Sequence, residues 1–108
     1  MLQPMQPFTF QVEDIFTITG RGTVFTGRVE TGTAQVGQRI NLNISGETFP
    51  AVITGIERFR KRSSTAGAGD SVGILVKQLD RIALSRIHGD DARHGTPSDS
   101  RDVTITSA

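Results

Sequence analysis

Residues 12–30, VEDIFTITGRGTVFTGRVE, hold two strand-forming stretches on either side of Gly20-Arg21-Gly22. Glycine takes positive φ without a Cβ penalty, so the tripeptide reads as a tight turn and the stretches as neighbouring strands. The same grammar of short alternating runs and glycine turns continues along the chain. Phe8, Phe10 and Val12 alternate with Thr9, Gln11 and Glu13, a half-buried strand that resumes over 15–19 after a kink. Residues 24–31 form the next strand, and Gly32 and Gly37 bracket a short connection over 33–36.

Ile40, Leu42 and Ile44 then alternate with Arg39, Asn41 and Asn43, one face of this strand lying in the core. Ser45-Gly46 turns the chain back into a run over 49–59, with Val52, Ile53 and Ile56 as core candidates. Pro50 lacks an N–H and places the start of that run at a sheet edge or a strand beginning. SSTAGAGD at 63–70 reads as a loop, and VGILV at 72–76 as the deepest strand. Residues 80–86 fit a helical turn or a short strand. A polar stretch from Gly89 follows, and VTIT at 103–106 is again strand-like.

Short strands with a turn about every 8–12 residues predict an all-β fold. Closing the sheet removes the exposed edges that a small sheet cannot otherwise hide, so a small closed antiparallel β-barrel is the expectation. With 108 residues there is room for one domain. We divide the chain into a lead-in over 1–7, a barrel over 8–88 and a polar tail over 89–108. The tail's last strand offers a route to a homodimer, by adding to the edge of a neighbouring barrel.

Composition narrows the chemistry. There is no Cys, which removes disulfides, thiolate catalysis and Cys-based zinc sites. The N-terminal MLQPMQPF lacks the regions of a signal peptide, and no apolar run reaches the length of a membrane span, so a cytoplasmic location is expected. Net charge is +1, so any basic footprint must be local. No Gly-x-x-x-x-Gly-Lys-Ser/Thr phosphate loop occurs, and no nucleophile–base pair is visible, which predicts a non-enzymatic protein without a GTP cofactor. His88, Asp90, Asp91 and His94 are metal-ligand types, but their polar segment offers no fixed geometry, so no metal is expected.

Four blocks carry a resemblance that covers about residues 7–86: PFTFQVEDIFTITGRGTVFTGRVETG, VGQ at 36–38, VITGIERFRK at 52–61 and AGAGDSVGILV at 66–76. In this order and spacing they resemble domain 2 of elongation factor Tu and related translation GTPases. The resemblance implies a six-stranded barrel of the translation-factor domain 2 type. It also implies partners: the aminoacyl end of a tRNA or another RNA end, or a translation factor such as a separate GTPase. The positions matching the family's RNA-facing residues are Glu13, Asp14, Phe16, Arg21 and Thr26, then Glu57 and Arg60. Arg86 falls where the family has an Arg that touches the tRNA 5′ end. The chain departs from the family at Ser71, where Asn is usual, and over 86–90, where RIHGD replaces Arg-Gly-Gln-Val-Leu. It begins with Met and carries no GTPase domain, which suits a stand-alone barrel.

The residue types suit that role. Carboxylates and a hydroxyl can hydrogen-bond a ribose, an aromatic ring can stack on a base, and arginines can pair with phosphate. The run Arg58-Phe59-Arg60-Lys61-Arg62 has an aromatic among cations, which adds Arg58 to the candidate RNA contacts. Plainer readings stand beside these. Glu13 and Asp14 suit a solvated strand end, Phe16 suits the core, and the basic run suits a charged strand end that keeps the barrel soluble. A protein-interaction or regulatory module that reuses the barrel without RNA is the corresponding alternative function.

Overall fold

In the computed structural model, residues 7–18, 20–58, 61–79, 81–88 and 103–108 are described. Among these residues ten strands and one helix follow in chain order: β1 (Thr9–Ile18), β2 (Gly22–Thr31), β3 (Thr33–Gln35), β4 (Arg39–Ile44), β5 (Glu47–Val52), β6 (Gly55–Arg58), β7 (Lys61–Ser63), β8 (Thr65–Gly67), β9 (Ser71–Val76), α1 (Arg81–His88) and β10 (Val103–Ser107). Eight strands form one antiparallel sheet in the order β5-β4-β10-β1-β2-β9-β6-β7, and β3 pairs with β8 in a separate ribbon.

The alternation read from the sequence becomes the inner face. Phe10, Phe25, Ile40, Leu42, Ile53, Ile74 and Ile105 are fully buried in one cluster that draws on strands from across the sheet. The β4–β5 hairpin turns on Ser45 and Gly46, both with positive φ (49° and 88°), the geometry that matches the strands' twist. Gly32 (φ 72°) and Gly37 (φ 92°) bracket β3 as the sequence suggests.

Several expectations change. The sheet has eight strands where six were expected, and among the described residues no ladder joins its end strands β5 and β7. Two further backbone bonds prolong the β4–β5 pairing past its ladder: Gly37 N–H donates to the Ile53 carbonyl (2.7 Å) and Ile53 N–H to the Gln38 carbonyl (3.0 Å). Pro50 sits in β5, opposite Asn41 of β4, and its missing N–H suits an end strand. The 63–70 loop contains β8, whose buried Ala66 faces buried Ala34 of β3. Val52, a core candidate, is 42% exposed, whereas Ile53 and Ile56 are buried. Of the helical turn or short strand expected over 80–86, the helix is the one that forms, as α1 with Ala83 turned into the core.

The last strand differs most from its expected place. β10 lies inside the sheet between β4 and β1, with Ile105 opposite both Leu42 and Phe10. Both of its edges are therefore paired within the chain, and no edge of it is free for a second copy.

Candidate ligand-binding face

The site residues gather on the outer face of β1, β2, β9 and β6, and a bulge sets their phase. Val12 pairs with Gly27 and Asp14 with Thr26, so Glu13 is an extra residue in β1. Phe10 and Val12 are buried before the bulge and Ile15 after it, while Glu13 and Asp14 both face solvent. Gly27 makes the close approach possible, because a Cβ there would collide with the Gln11 carbonyl oxygen. Beyond the bulge, Phe16 (54% exposed) and Ile18 (40%) share the outer face, so Phe16 is not a core residue.

Residues directly opposite in antiparallel strands lie on the same face, so the ladders can be read sideways as rows. One row runs Asp14–Thr26–Gly73–Glu57–Arg62 across β1, β2, β9, β6 and β7. The next runs Phe16–Val24–Leu75–Gly55. Each row contains a glycine, and each glycine leaves a gap in the surface. Around Gly73 opens a depression of about 320 Å³, lined by Glu13, Thr26, Glu57 and Ser71 among others. Beside Gly55 opens a second, of about 350 Å³, lined by Gly20, Arg21, Glu57, Arg62, Leu75 and Lys77 among others. Glu57 walls both.

The structure thus brings Glu13, Thr26 and Glu57 to one depression and Arg21 and Glu57 to the other, with Asp14 and Phe16 at the β1 ends of the two rows. Thr26 Oγ1 donates to the Asp14 carbonyl oxygen (3.3 Å), fixing the hydroxyl beside the bulge. Arg58 lines neither depression. Its guanidinium lies 3.5 Å from Asp70, whose carboxylate also accepts the Gly67 N–H at 2.9 Å, tying β6 to the turn before β9. Arg60 and Phe59 lie outside the described residues, as does the side chain of Arg86 on α1.

Two cations join the face that were not singled out as site residues. Arg62 arrives because the β6–β7 register sets it opposite Glu57. Lys77 follows β9, where the Gly20-Arg21-Gly22 turn lies against it. A Cβ on Gly22 (φ 120°) would stand 2.6 Å from the Val76 carbonyl oxygen and 2.7 Å from Lys77 Cα. The only sequence signal for Arg62 is the 58–62 basic run, and Lys77 has none.

Among the described residues no cluster of His, Cys, Asp and Glu could hold a metal, and His88, Asp90, Asp91 and His94 lie outside those whose side chains are described. Among the same residues no helix is long and apolar enough to cross a membrane.

Residues 22–85 match the family model of elongation factor Tu domain 2. The match begins at the first residue of β2 and runs into α1, taking in Thr26, Glu57, Arg58, Arg60 and the Gly55 and Gly73 gaps. It spans more than half of the 108 residues, and the chain belongs to the elongation factor Tu domain 2 family.

Proposed function

We propose that this chain is a non-enzymatic, translation-related binding module, working in the cytoplasm without a nucleotide cofactor, that holds an RNA end on the outer face of β1, β2, β9 and β6. One observation carries the reading: the Asp14–Thr26–Gly73–Glu57 row sets carboxylates and a hydroxyl around a side-chain-free gap, with exposed Phe16 on the adjacent row. Carboxylates accept hydrogen bonds from ribose hydroxyls, and an exposed ring gives a base a stacking partner. A terminal nucleotide, free to leave the stack, presents both groups at once. Family membership supports the reading, since the resembling translation factors use this domain for the aminoacyl end of tRNA.

The test is direct binding of a labelled single-stranded RNA ending in CCA, at low and at moderate salt. Saturable binding that weakens with salt is the expected result. No binding at low salt removes the RNA reading.

A second reading has its own observation. Phe16 and Ile18 expose apolar surface two residues apart on one strand, which suits a protein surface as well as a base. In that case a specific protein partner would compete for the face, and Ile18→Glu would abolish the interaction while sparing RNA.

A further inference from the structure

The basic run Arg58 to Arg62 leads directly into three hydroxyl residues, Ser63, Ser64 and Thr65. The RNA-end reading makes no use of these hydroxyls. β7 (Lys61–Ser63), just before them, is an end strand of the eight-stranded sheet and is laddered on one side, to β6, through three residue pairs. Ser64 forms the bend between β7 and β8 and is exposed. Its neighbours are more constrained. Ser63 Oγ donates to the Thr65 carbonyl (2.8 Å), and Thr65 is held in β8 opposite Gln35.

From this we infer that Ser64 is a phosphorylation site for a protein kinase that selects basic residues ahead of its target. Lys61 and Arg62, three and two residues before Ser64, are both exposed. Their charges fit the carboxylates with which such a kinase reads its substrate. A kinase also needs its substrate extended in its cleft, and the short β6–β7 ladder is what must open. Opening an end strand costs less than opening a central one. Thr31 and Thr104 also follow an arginine by three residues, and they lack that freedom. Thr31 lies in β2 and its hydroxyl donates to the Pro7 carbonyl (2.6 Å). Thr104 lies in β10, which is paired on both sides.

In the transfer step Ser64 Oγ attacks the γ-phosphorus of ATP as the bond to the β–γ bridging oxygen breaks. ADP leaves, and the hydroxyl proton passes to the catalytic aspartate of the kinase. The product places negative charge at the candidate face. The Ser64 carbonyl accepts the Val36 N–H (3.0 Å), and Val36, Arg62 and Ser63 all line the depression beside Gly55. A phosphoserine adds a charge of about −1.5 to −2, which turns the chain's net +1 negative. That charge repels RNA phosphates, so the modification regulates the face. This consequence rests on the RNA-end reading, and the modification itself does not.

The test incubates the full chain with ATP and a purified protein kinase that prefers basic residues at these positions, and locates the phosphate by mass spectrometry. One phosphate on Ser64 is the expected result, and Ser64→Ala should remove it. Lys61→Ala with Arg62→Ala should lower the kinase's kcat/KM about tenfold or more. Both side chains are exposed, so the fold should persist. Labelling should proceed well below the thermal transition, at a rate comparable to that of a peptide of residues 58–68. No phosphate on Ser64, labelling only of the unfolded chain, or an unchanged kcat/KM in the double variant each overturns the site. Binding of the CCA-ended RNA at low salt is the second readout. The phosphorylated chain should bind about tenfold more weakly, while Ser64→Ala binds like the parent. If Ser64 is phosphorylated and both forms bind RNA equally, the site stands and its control of the face is overturned. If Ser64 is phosphorylated and neither form binds RNA, the site stands and the RNA-end reading falls.

Discussion

Gly73 stands directly opposite Glu57 in the β6–β9 ladder, and its missing side chain opens the depression that Glu57 walls. The same glycine faces Thr26 across the β2–β9 ladder, so the gap is framed on both sides by hydrogen-bonding groups. A Cβ at this position would lie 3.1 Å from Val24 Cγ1 and 3.7 Å from Thr26 Cγ2, which leaves little room for a larger side chain. Gly73→Val is therefore expected to fill the gap and reduce binding of the CCA-ended RNA. Its cost in stability is expected to be about 1–3 kcal/mol from overpacking. A thermal melt beside the binding curve separates the two effects. Unchanged affinity would mean that the gap is not where the ligand sits.

Gly27 makes a different prediction, on the fold alone. Its Cβ position is occupied by the Gln11 carbonyl oxygen, so a substitution must push β1 away from β2 next to the bulge. Gly27→Ala should lower stability by about 3 kcal/mol or more, a loss on the order of 10 °C or greater in Tm for a domain this size. A melt within a few degrees of the parent would contradict the close approach.

The end of the chain is expected to be required for folding. Ile105 is fully buried between Phe10 and Leu42, its partners across the two ladders of β10. Ile105→Ala should cost about 2–5 kcal/mol. Removing residues 103–108 should abolish the cooperative unfolding transition, because β1 and β4 would each lose a partner. Circular dichroism melts report both. A truncated chain that melts like the full one would overturn the placement of β10.

Arg58 is expected to matter little. Its pair with Asp70 is solvent-exposed, with side-chain exposures of 45% and 30%, and such pairs contribute about 0–1 kcal/mol. Arg58→Ala should shift Tm by a few degrees at most and leave the salt slope of RNA binding unchanged. A slope flattened by one phosphate contact would place Arg58 on the RNA after all.

How much of this was legible in the sequence differs by element. The alternation at Phe8, Phe10 and Val12 and at Ile40, Leu42 and Ile44 reads directly as a core face, because a period of two survives any tertiary arrangement. The bulge at Glu13 does not: the pattern breaks there, but only the partner strand shows that both carboxylates face outward and that Phe16 is exposed. β10 reads as a tail because a long polar stretch separates it from the rest, and sequence distance says nothing of which gap in a sheet a strand will fill. Strands as short as β3, β7 and β8 give no period to detect. The candidate site is divided in the same way. Glu57 and Thr26 were named from family resemblance, whereas Arg62 and Lys77 join the face through register and a glycine turn, which no local pattern encodes.

The measurement closest to the central claim is the affinity of CCA-ended RNA for the parent chain, Phe16→Ala and Glu57→Ala at one low salt concentration. Phe16 is half exposed, so its loss should leave Tm nearly unchanged while removing about 1–3 kcal/mol of stacking. Glu57→Ala should weaken binding comparably, as a ribose hydroxyl loses a charged acceptor. Matching affinities for all three folded proteins would contradict the claim that this face holds the RNA end.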